Sequence, residues 1–353
     1  MRMGSLSPKV ARRGQSLTEI NRSPPRMETT VPSLKRIGPA LLAAILLVGL
    51  IPGTAQAYAN AFFPTQSSGN RGADVLAIQY LLQYNGQPTA ADGVFGASTA
   101  TAAKAFQTAK GLGSDGIVGP QTWGALVPTI RSGDNNAAVK ALQVELNAKR
   151  RLTLPVDGVF STAVRDAVVS FQSHAGIGAD GIVGPITWRN LTWHYDYPDF
   201  NANLCDQDPD GNGTAANWAA AAAVAHLEQG TRSFGSTNQG KVGYGDAGFE
   251  HGGDIPGHGS HESGMDIDIW PIRTDNAQCT AGRITWQSTT YDRAATRQLV
   301  QAIRAAAPGH VKFIWFNDPT LISEGLTAEW PAHDNHLHVR YCEKVHPNSM
   351  YVC

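Results

Sequence analysis

The chain has 353 residues, 42% hydrophobic and 16% charged, which is a globular composition and too long for one ordinary domain. Its formal net charge is −1, but the first 57 residues hold eight basic and two acidic residues, which leaves 20 basic against 27 acidic residues after them. The resulting net charge of −7 argues against a nucleic-acid-binding protein.

Residues 1–57 are predicted to be a leader that contains a secretory signal peptide. Lys35 and Arg36 precede an uncharged apolar run at residues 37–51, and a small-residue cleavage site ends at Ala57. The run is shorter than the ~20 apolar residues of a membrane span. We therefore expect cleavage, secretion to the cell wall and no stable membrane span afterwards, with an uncleaved anchor as the alternative. Met27 is an alternative start of translation.

A linker at 58–66 leads into an internal repeat at residues 67–127 and 130–193, with a period of 65 residues. Apolar residues at helical spacing, turn-forming Asp-Gly pairs and a proline at a helix start predict a three-helix domain in each copy. The shared segments are Asp92 to Phe95 with Asp157 to Phe160, Phe106-Gln107 with Phe171-Gln172, and Asp115 to Trp123 with Asp180 to Trp188.

These shared segments resemble the marks of the peptidoglycan-binding domain family, although Ser161 in the second copy replaces Gly96 of the first. The resemblance implies that peptidoglycan is the partner of both copies. Trp123 and Trp188 have two interpretations, as core aromatics that hold the fold or as part of a groove that binds sugar or peptide.

A connector at residues 194–212 precedes the last domain, at 213–353. The segment from Asp206 to Gly213 has part of a calcium-loop spacing, but Pro209 interrupts it and Asn217 stands where a bidentate glutamate is expected, so we predict a solvated turn. Helices are predicted at 215–229 and 291–307 and a strand at 310–316. This pattern indicates an α+β domain with an antiparallel sheet.

Two segments of this domain read as a metal site. Asp266 and Asp268 alternate with apolar residues, so both carboxylates share one face of a predicted strand, and His336 and His338 do the same in a second strand. His261 lies just before the first strand. Neutral imidazole and carboxylate are zinc ligands, and a catalytic zinc keeps three of them and an open position. The set predicted to hold one zinc ion per chain is His261, Asp268 and His338.

The extended patterns from His258 to Trp270 and from His333 to His338 resemble the penicillin-insensitive murein endopeptidases, zinc peptidases of the D-alanyl-D-alanine and murein endopeptidase superfamily. The resemblance implies His336 as the residue that takes and returns the proton of the attacking water. His333 and His258 are further catalytic candidates, with support of a metal ligand as their alternative role. Asp266 is expected to orient a neighbour, and Gly264 to permit a close backbone turn.

All four cysteines lie near or within the last domain. An even number in a secreted chain favours two disulfides, and the pairing we favour is Cys205 with Cys279 and Cys342 with Cys353. A zinc–thiolate site is the alternative, although no Cys-x-x-Cys spacing is present.

The sequence thus predicts two all-α peptidoglycan-binding domains followed by an α+β zinc peptidase domain. The favoured function is hydrolysis of peptide cross-links that involve D-alanine. A D-Ala-D-Ala carboxypeptidase or dipeptidase would share every ligand, and a wall-binding protein with a structural zinc would instead have a closed fourth position, filled by His258 or His333. The sequence makes no prediction of oligomeric state.

Overall fold

A computed structural model describes residues 61–200, 203–207, 216–237, 240–253, 255, 257–346 and 349–353. The predicted leader at 1–57 and most of the acidic turn at 206–213 lie outside the described residues. Of the helices in the described ranges, none is long and apolar enough to cross a membrane.

Each repeat contains three helices, as predicted. The first has α1 (Ala73–Tyr84), α2 (Ala97–Ala109) and α3 (Pro120–Leu126), and the second has α4 (Ala137–Arg150), α5 (Thr162–His174) and α6 (Pro185–Trp193). Proline occupies the first turn of α3 and of α6, where its missing N–H costs no hydrogen bond. Helices α1 and α4 pack against each other, so the two repeats share one apolar core.

Trp123 and Trp188 belong to that core, and the interpretation that either lines a ligand groove is wrong. Both side chains are fully buried. The Trp123 indole Nε1 donates to the Pro64 carbonyl at 2.7 Å, and that of Trp188 to the Pro128 carbonyl at 2.9 Å. A buried indole needs such a partner for its N–H, so both residues hold their repeat together.

Among the described residues, five strands of the C-terminal region form one sheet in the order β1-β2-β3-β5-β4. They are β1 (Leu204–Asp206), β2 (Val242–Tyr244), β3 (Asp266–Ile269), β4 (Val311–Trp315) and β5 (Leu337–Tyr341). β1 pairs with β2 in parallel and the other pairs are antiparallel. The prediction of an antiparallel sheet is therefore corrected to a mixed one, because the chain crosses over through a helix at Ala221–Gly235 before β2 returns beside β1 in the same direction.

Helices α7 (Ala221–Gly235), α8 (Arg293–Ala306) and α9 (Pro319–Ser323) accompany the sheet. α8 agrees with prediction, and the Asp292 side chain caps it by accepting from the Ala295 N–H at 2.9 Å. α7 begins later than the predicted residue 215. Asn217 and Ala219 instead pair in extended form with Gly248 and Asp196, so tertiary pairing overrides the helix propensity of alanine there.

Both favoured disulfides are present, Cys205 with Cys279 and Cys342 with Cys353. The zinc–thiolate alternative is therefore wrong. The first disulfide ties β1 to the loop after β3, and the second ties the end of β5 to the last residue.

Candidate metal centre

The site rests on the neighbouring strands β3 and β5. In their antiparallel register Asp268 lies opposite His338 and Asp266 lies opposite Arg340. The alternate residues Ile267, Leu337 and Val339, with their neighbours on the same face, are in the apolar core. The alternation in the sequence therefore places the polar side chains together on the other face of the sheet.

His261 reaches this face from a short 3₁₀ turn, His261–Ser263, that ends at Gly264 with φ of 66°. A Cβ at Gly264 would lie 2.5 Å from the Tyr195 ring, so both the conformation and the close contact require glycine. The His261 Nδ1–H donates to the Ala247 carbonyl at 2.7 Å. Its Nε2 is buried, has no hydrogen-bond partner among the described residues, and lies 3.5 Å from Asp268 Oδ2.

His338 lies between the two carboxylates of β3. Its Nδ1 is 2.9 Å from Asp268 Oδ1 and its Nε2 is 2.8 Å from Asp266 Oδ1. Asp266 Oδ2 in turn accepts from Arg340 Nη1 at 2.8 Å. Asp266 therefore orients His338, as expected of a residue that fixes the tautomer of a metal ligand.

Burial disfavours a charged His338, but its contacts with Asp266 and Asp268 outweigh burial and raise its pKa to about 9. Burial likewise opposes ionisation of Asp268, yet the histidines around it, His261 first, hold its pKa well below the usual range. The pocket is thus negative enough to attract a cation, and a divalent metal ion competes there with protons.

The other predicted histidines surround the same carboxylate. His336 Nε2 lies 3.7 Å and His258 Nδ1 lies 3.8 Å from Asp268 Oδ2. Burial lowers the pKa of His336 to about 4, and its Nδ1 lies 2.8 Å from Asn335 Oδ1. A contact with Asp246, at 3.4 Å from His258 Nε2, raises the pKa of His258.

His333 lies further out, with its ring 4.6 Å from that of His336. Its Nδ1 lies 2.8 Å from the Pro331 carbonyl, which accepts the proton of that nitrogen and leaves Nε2 as an acceptor. Burial lowers its pKa. All six predicted site residues therefore come together, with His333 at the edge.

These side chains line a cavity of about 350 Å³. Its wall includes Trp315 and Trp330, which stack with centroids 4.5 Å apart and 9° between their planes, and Trp330 remains 49% exposed. Sequence reasoning missed both residues. The alternation of the predicted strand at 310–316 is the one signal that could have placed Trp315 beside the site, since β4 pairs with β5 and Trp315 lies opposite His338.

The donor set fits zinc. Asp268 Oδ1 makes no hydrogen bond among the described residues although His338 Nδ1 is 2.9 Å away, so these atoms are close without being a directed donor–acceptor pair. Together with the buried Nε2 of His261 they form a set of nitrogen and carboxylate donors. Each of the two histidines has its other nitrogen fixed by a hydrogen bond, as metal-binding histidines usually do.

Comparison with known families matches residues 71–126 and 135–191 to the putative peptidoglycan binding domain, and residues 213–311 to penicillin-insensitive murein endopeptidase. The second match includes His258, His261 and Asp268. His338 lies beyond its end.

Three curated relatives cover parts of the chain. An uncharacterized protein in the bpoA1 3′ region of Kitasatospora aureofaciens is 43% identical over 19% of the chain. N-acetylmuramoyl-L-alanine amidase CwlM of Mycobacterium tuberculosis is 36% identical over 28%, and zinc D-Ala-D-Ala carboxypeptidase of Streptomyces albus G is 31% identical over 30%. The chain spans 57%, 27% and 44% of these relatives, respectively.

The two peptidoglycan-binding matches lie on the six helices of the repeats. The endopeptidase match follows them and includes β3, which carries Asp268 on the histidine-rich face of the sheet. The chain carries two peptidoglycan-binding domains followed by a domain of the penicillin-insensitive murein endopeptidase family.

Proposed function

We propose that the chain is an extracytoplasmic zinc metallopeptidase that binds peptidoglycan and hydrolyses peptide cross-links involving D-alanine. The observation that supports this most is the buried carboxylate of Asp268, which has imidazole nitrogens of His258, His261, His336 and His338 within 3.8 Å. The matched families and the relatives, an amidase and a carboxypeptidase, favour the cell wall as the substrate.

His261 Nε2, Asp268 and His338 Nδ1 would hold one zinc ion. When bound, zinc would lower the pKa of a water molecule and polarise the carbonyl of the scissile bond. Asp266 and Arg340 keep the His338 ring in place during this chemistry, and the Ala247 carbonyl does the same for His261.

His336 is the proton carrier in this proposal. Burial keeps its imidazole neutral near pH 7, so it is able to accept a proton from water and return it to the leaving amine. Asn335 Oδ1 accepts the Nδ1–H of His336, which leaves the Nε2 lone pair directed at the Asp268 side. His258 is held beside the site by Asp246.

The stacked pair of Trp315 and Trp330 forms an apolar wall beside these polar groups. Such a surface suits a stem peptide with alanine side chains and alkyl stems, whose methyl and methylene groups pack on aromatic rings. The two repeats keep the enzyme on its polymer, which raises the local concentration of cross-links near the cavity.

The carboxypeptidase of Streptomyces albus G makes trimming of D-Ala termini the second candidate. A test treats purified sacculi with the full chain, with and without chelator, and identifies the released muropeptides by mass spectrometry. Cross-linked dimers that become monomers identify an endopeptidase. Free D-alanine with intact cross-links identifies a carboxypeptidase.

His338→Ala should lose both zinc and activity, because one of three ligands is removed. Full zinc occupancy in that variant contradicts the ligand assignment. A wild-type chain that holds zinc and releases nothing from any sacculus would indicate a structural zinc and overturn the proposed activity.

A further inference from the structure

A second group of metal-ligating side chains lies where the second repeat meets the C-terminal domain. It contains His174 at the end of α5, His194 just after α6, and the adjacent Glu250 and His251 of the C-terminal domain. One nitrogen or oxygen atom from each lies within 4.8 Å of all the others. None of these residues takes part in the proposed peptidase reaction.

The separations between these atoms are those of ligands around one small ion. His174 Nε2 lies 3.1 Å from His251 Nε2 and 3.1 Å from Glu250 Oε2, and His251 Nε2 lies 3.8 Å from the same oxygen. Zinc–nitrogen bonds of about 2.0–2.1 Å in a tetrahedron place neighbouring ligand atoms roughly 3.3 Å apart. Two of these three separations are within a few tenths of an ångström of that spacing, the third is about half an ångström longer, and His194 completes a set of four donors that all lie within 4.8 Å of one another.

The contacts of His194 leave one of its ring nitrogens facing the cluster. His194 Nδ1 donates to the Tyr195 carbonyl at 2.8 Å, so the neutral ring has a lone pair on Nε2, which lies 3.1 Å from Glu250 Oε1. Three imidazoles and one carboxylate form a complete set of four zinc ligands.

The surroundings also resemble those of a structural metal site. The Arg150 guanidinium contacts Glu250 Oε1 and leaves Oε2 for the ion, whereas its Nη1, 3.4 Å from His194 Nε2, makes a contact that a bound ion has to replace. The Trp193 ring stacks on His251 with centroids 5.7 Å apart, and the Trp218 ring meets the His194 ring edge-on. Aromatic side chains around the donors limit access of water to the site.

We propose that His174, His194, Glu250 and His251 bind a second zinc ion that joins the second repeat to the C-terminal domain. Four protein ligands close the coordination sphere, so this ion is structural. It holds the repeat at a fixed position relative to the loop that leads into His258 and His261. This inference does not depend on the proposed peptidase activity.

The test measures zinc per chain in the full-length protein by elemental analysis after dialysis against buffered zinc. The wild type should hold two ions. His174→Asn, at the partly exposed edge of the cluster, should hold one, and so should His338→Ala, whereas the two substitutions together should leave none. His346→Ala, which lies outside both groups, should keep two.

Stability supplies a second measurement. Added zinc should raise the thermal unfolding midpoint of His338→Ala, which retains the junction site, and should have no such effect on the double variant. A His174→Asn variant that keeps as many ions as the wild type would overturn the proposal, whether the wild type holds one ion or two. Retention of both ions by His338→Ala, with one ion lost in His174→Asn, would leave the junction site standing and fault only the ligand assignment of the catalytic one.

Discussion

At the scale of single residues, the C-terminal site is governed by one buried charge. Asp268 is 3% exposed and ionised, and such a group is costly unless positive charge compensates it. Without metal, the proton on His338 supplies that charge, since the contacts of its ring with Asp266 and Asp268 outweigh burial and raise its pKa to about 9. Zinc binding therefore has to displace protons, which makes metal affinity fall as the pH is lowered.

His336 separates proton transfer from metal binding. The family pattern assigns the metal to His261, Asp268 and His338 and the proton to His336, whose ring is held by Asn335, so we expect His336→Ala to keep its zinc and its binding to sacculi. Turnover should fall by about 10²-fold or more, the usual loss when a general acid–base is removed. Zinc analysis, a sacculus pull-down and the rate of muropeptide release measure the three properties on one preparation.

His346→Ala is the matched control and should change none of these properties. A His336→Ala variant that loses its zinc would mean that His336 and His338 have each other's roles. If the variant is fully active, the group that carries the proton is instead His333, His258 or a carboxylate outside both motifs.

The site residues could be predicted because strand alternation and short spacings fix which side chains share a face. The strand period of two residues and the family pattern were enough to predict His261, Asp268 and His338. Trp330 and His251 could not be found in this way, because each reaches its cluster through loop geometry. His174 and His251 are 77 residues apart and belong to different domains, and no local pattern relates them.

At the scale of secondary-structure elements, a buried glutamine holds each turn of the repeats. The Gln172 side chain donates to Asp180, to the Ile182 carbonyl and to Thr187, and its Oε1 accepts from the Gly181 N–H. Gln79, Gln107 and Gln143 make equivalent contacts with their own Asp-Gly turns. The glutamine of the Phe-Gln mark thus fixes the loop that leads into the next helix.

Gln172→Leu should destabilise the protein by about 3 kcal/mol, because the Gly181 N–H and the Ile182 carbonyl lose their buried partner. Urea unfolding followed by circular dichroism measures the change. Gln121→Leu, on the exposed face of α3, is the control and should stay within about 0.5 kcal/mol of wild type. Equal stability of the two variants would contradict this role of the glutamine.

The type of each secondary-structure element was more predictable than its first and last residues. The helices of the repeats, α8 with its Asp292 cap and β4 follow from period and capping. The start of α7 does not, since alanine propensity is weak beside the pairing of Asn217 with Gly248. The parallel partner of β2 was also beyond prediction, because three residues of β1 carry too little pattern to show their neighbour.

At the scale of the whole molecule, a buried ion cluster connects three parts of the chain. Lys149 of α4 lies 2.9 Å from Asp74 of α1 and 2.7 Å from Asp196, which bridges to Ala219 of the C-terminal domain. Its side chain is 1% exposed, and the carboxyl of Glu145 is 3.9 Å away. Burial is the first cause of the raised pKa values of Glu145 and Asp196, the latter about 6.

Among the described residues, Lys149 is the one cation within 4.0 Å of the carboxylates of this cluster. Lys149→Met removes it. Breaking a buried pair in this way costs about 3–5 kcal/mol. The cost should depend on pH. A carboxyl whose folded-state pKa is raised binds a proton in the folded protein, so its favourable contribution is present at low pH and is lost as the pH rises through that pKa.

Asp196 already titrates near 6, and loss of Lys149 raises its pKa further. We therefore expect Lys149→Met to cost clearly less at pH 5, where Asp196 is protonated, than at pH 8, where it must ionise unpaired. Lys149→Met with Asp196→Asn should recover part of the loss at pH 8 and little at pH 5.

Lys140→Met, on the same helix but half-buried against the Tyr80 ring, is the matched control and should show a small change without pH dependence. Urea unfolding at both pH values measures all four proteins, and an equal cost of Lys149→Met at pH 5 and pH 8 would mean that the cluster does not hold ionised carboxylates against Lys149.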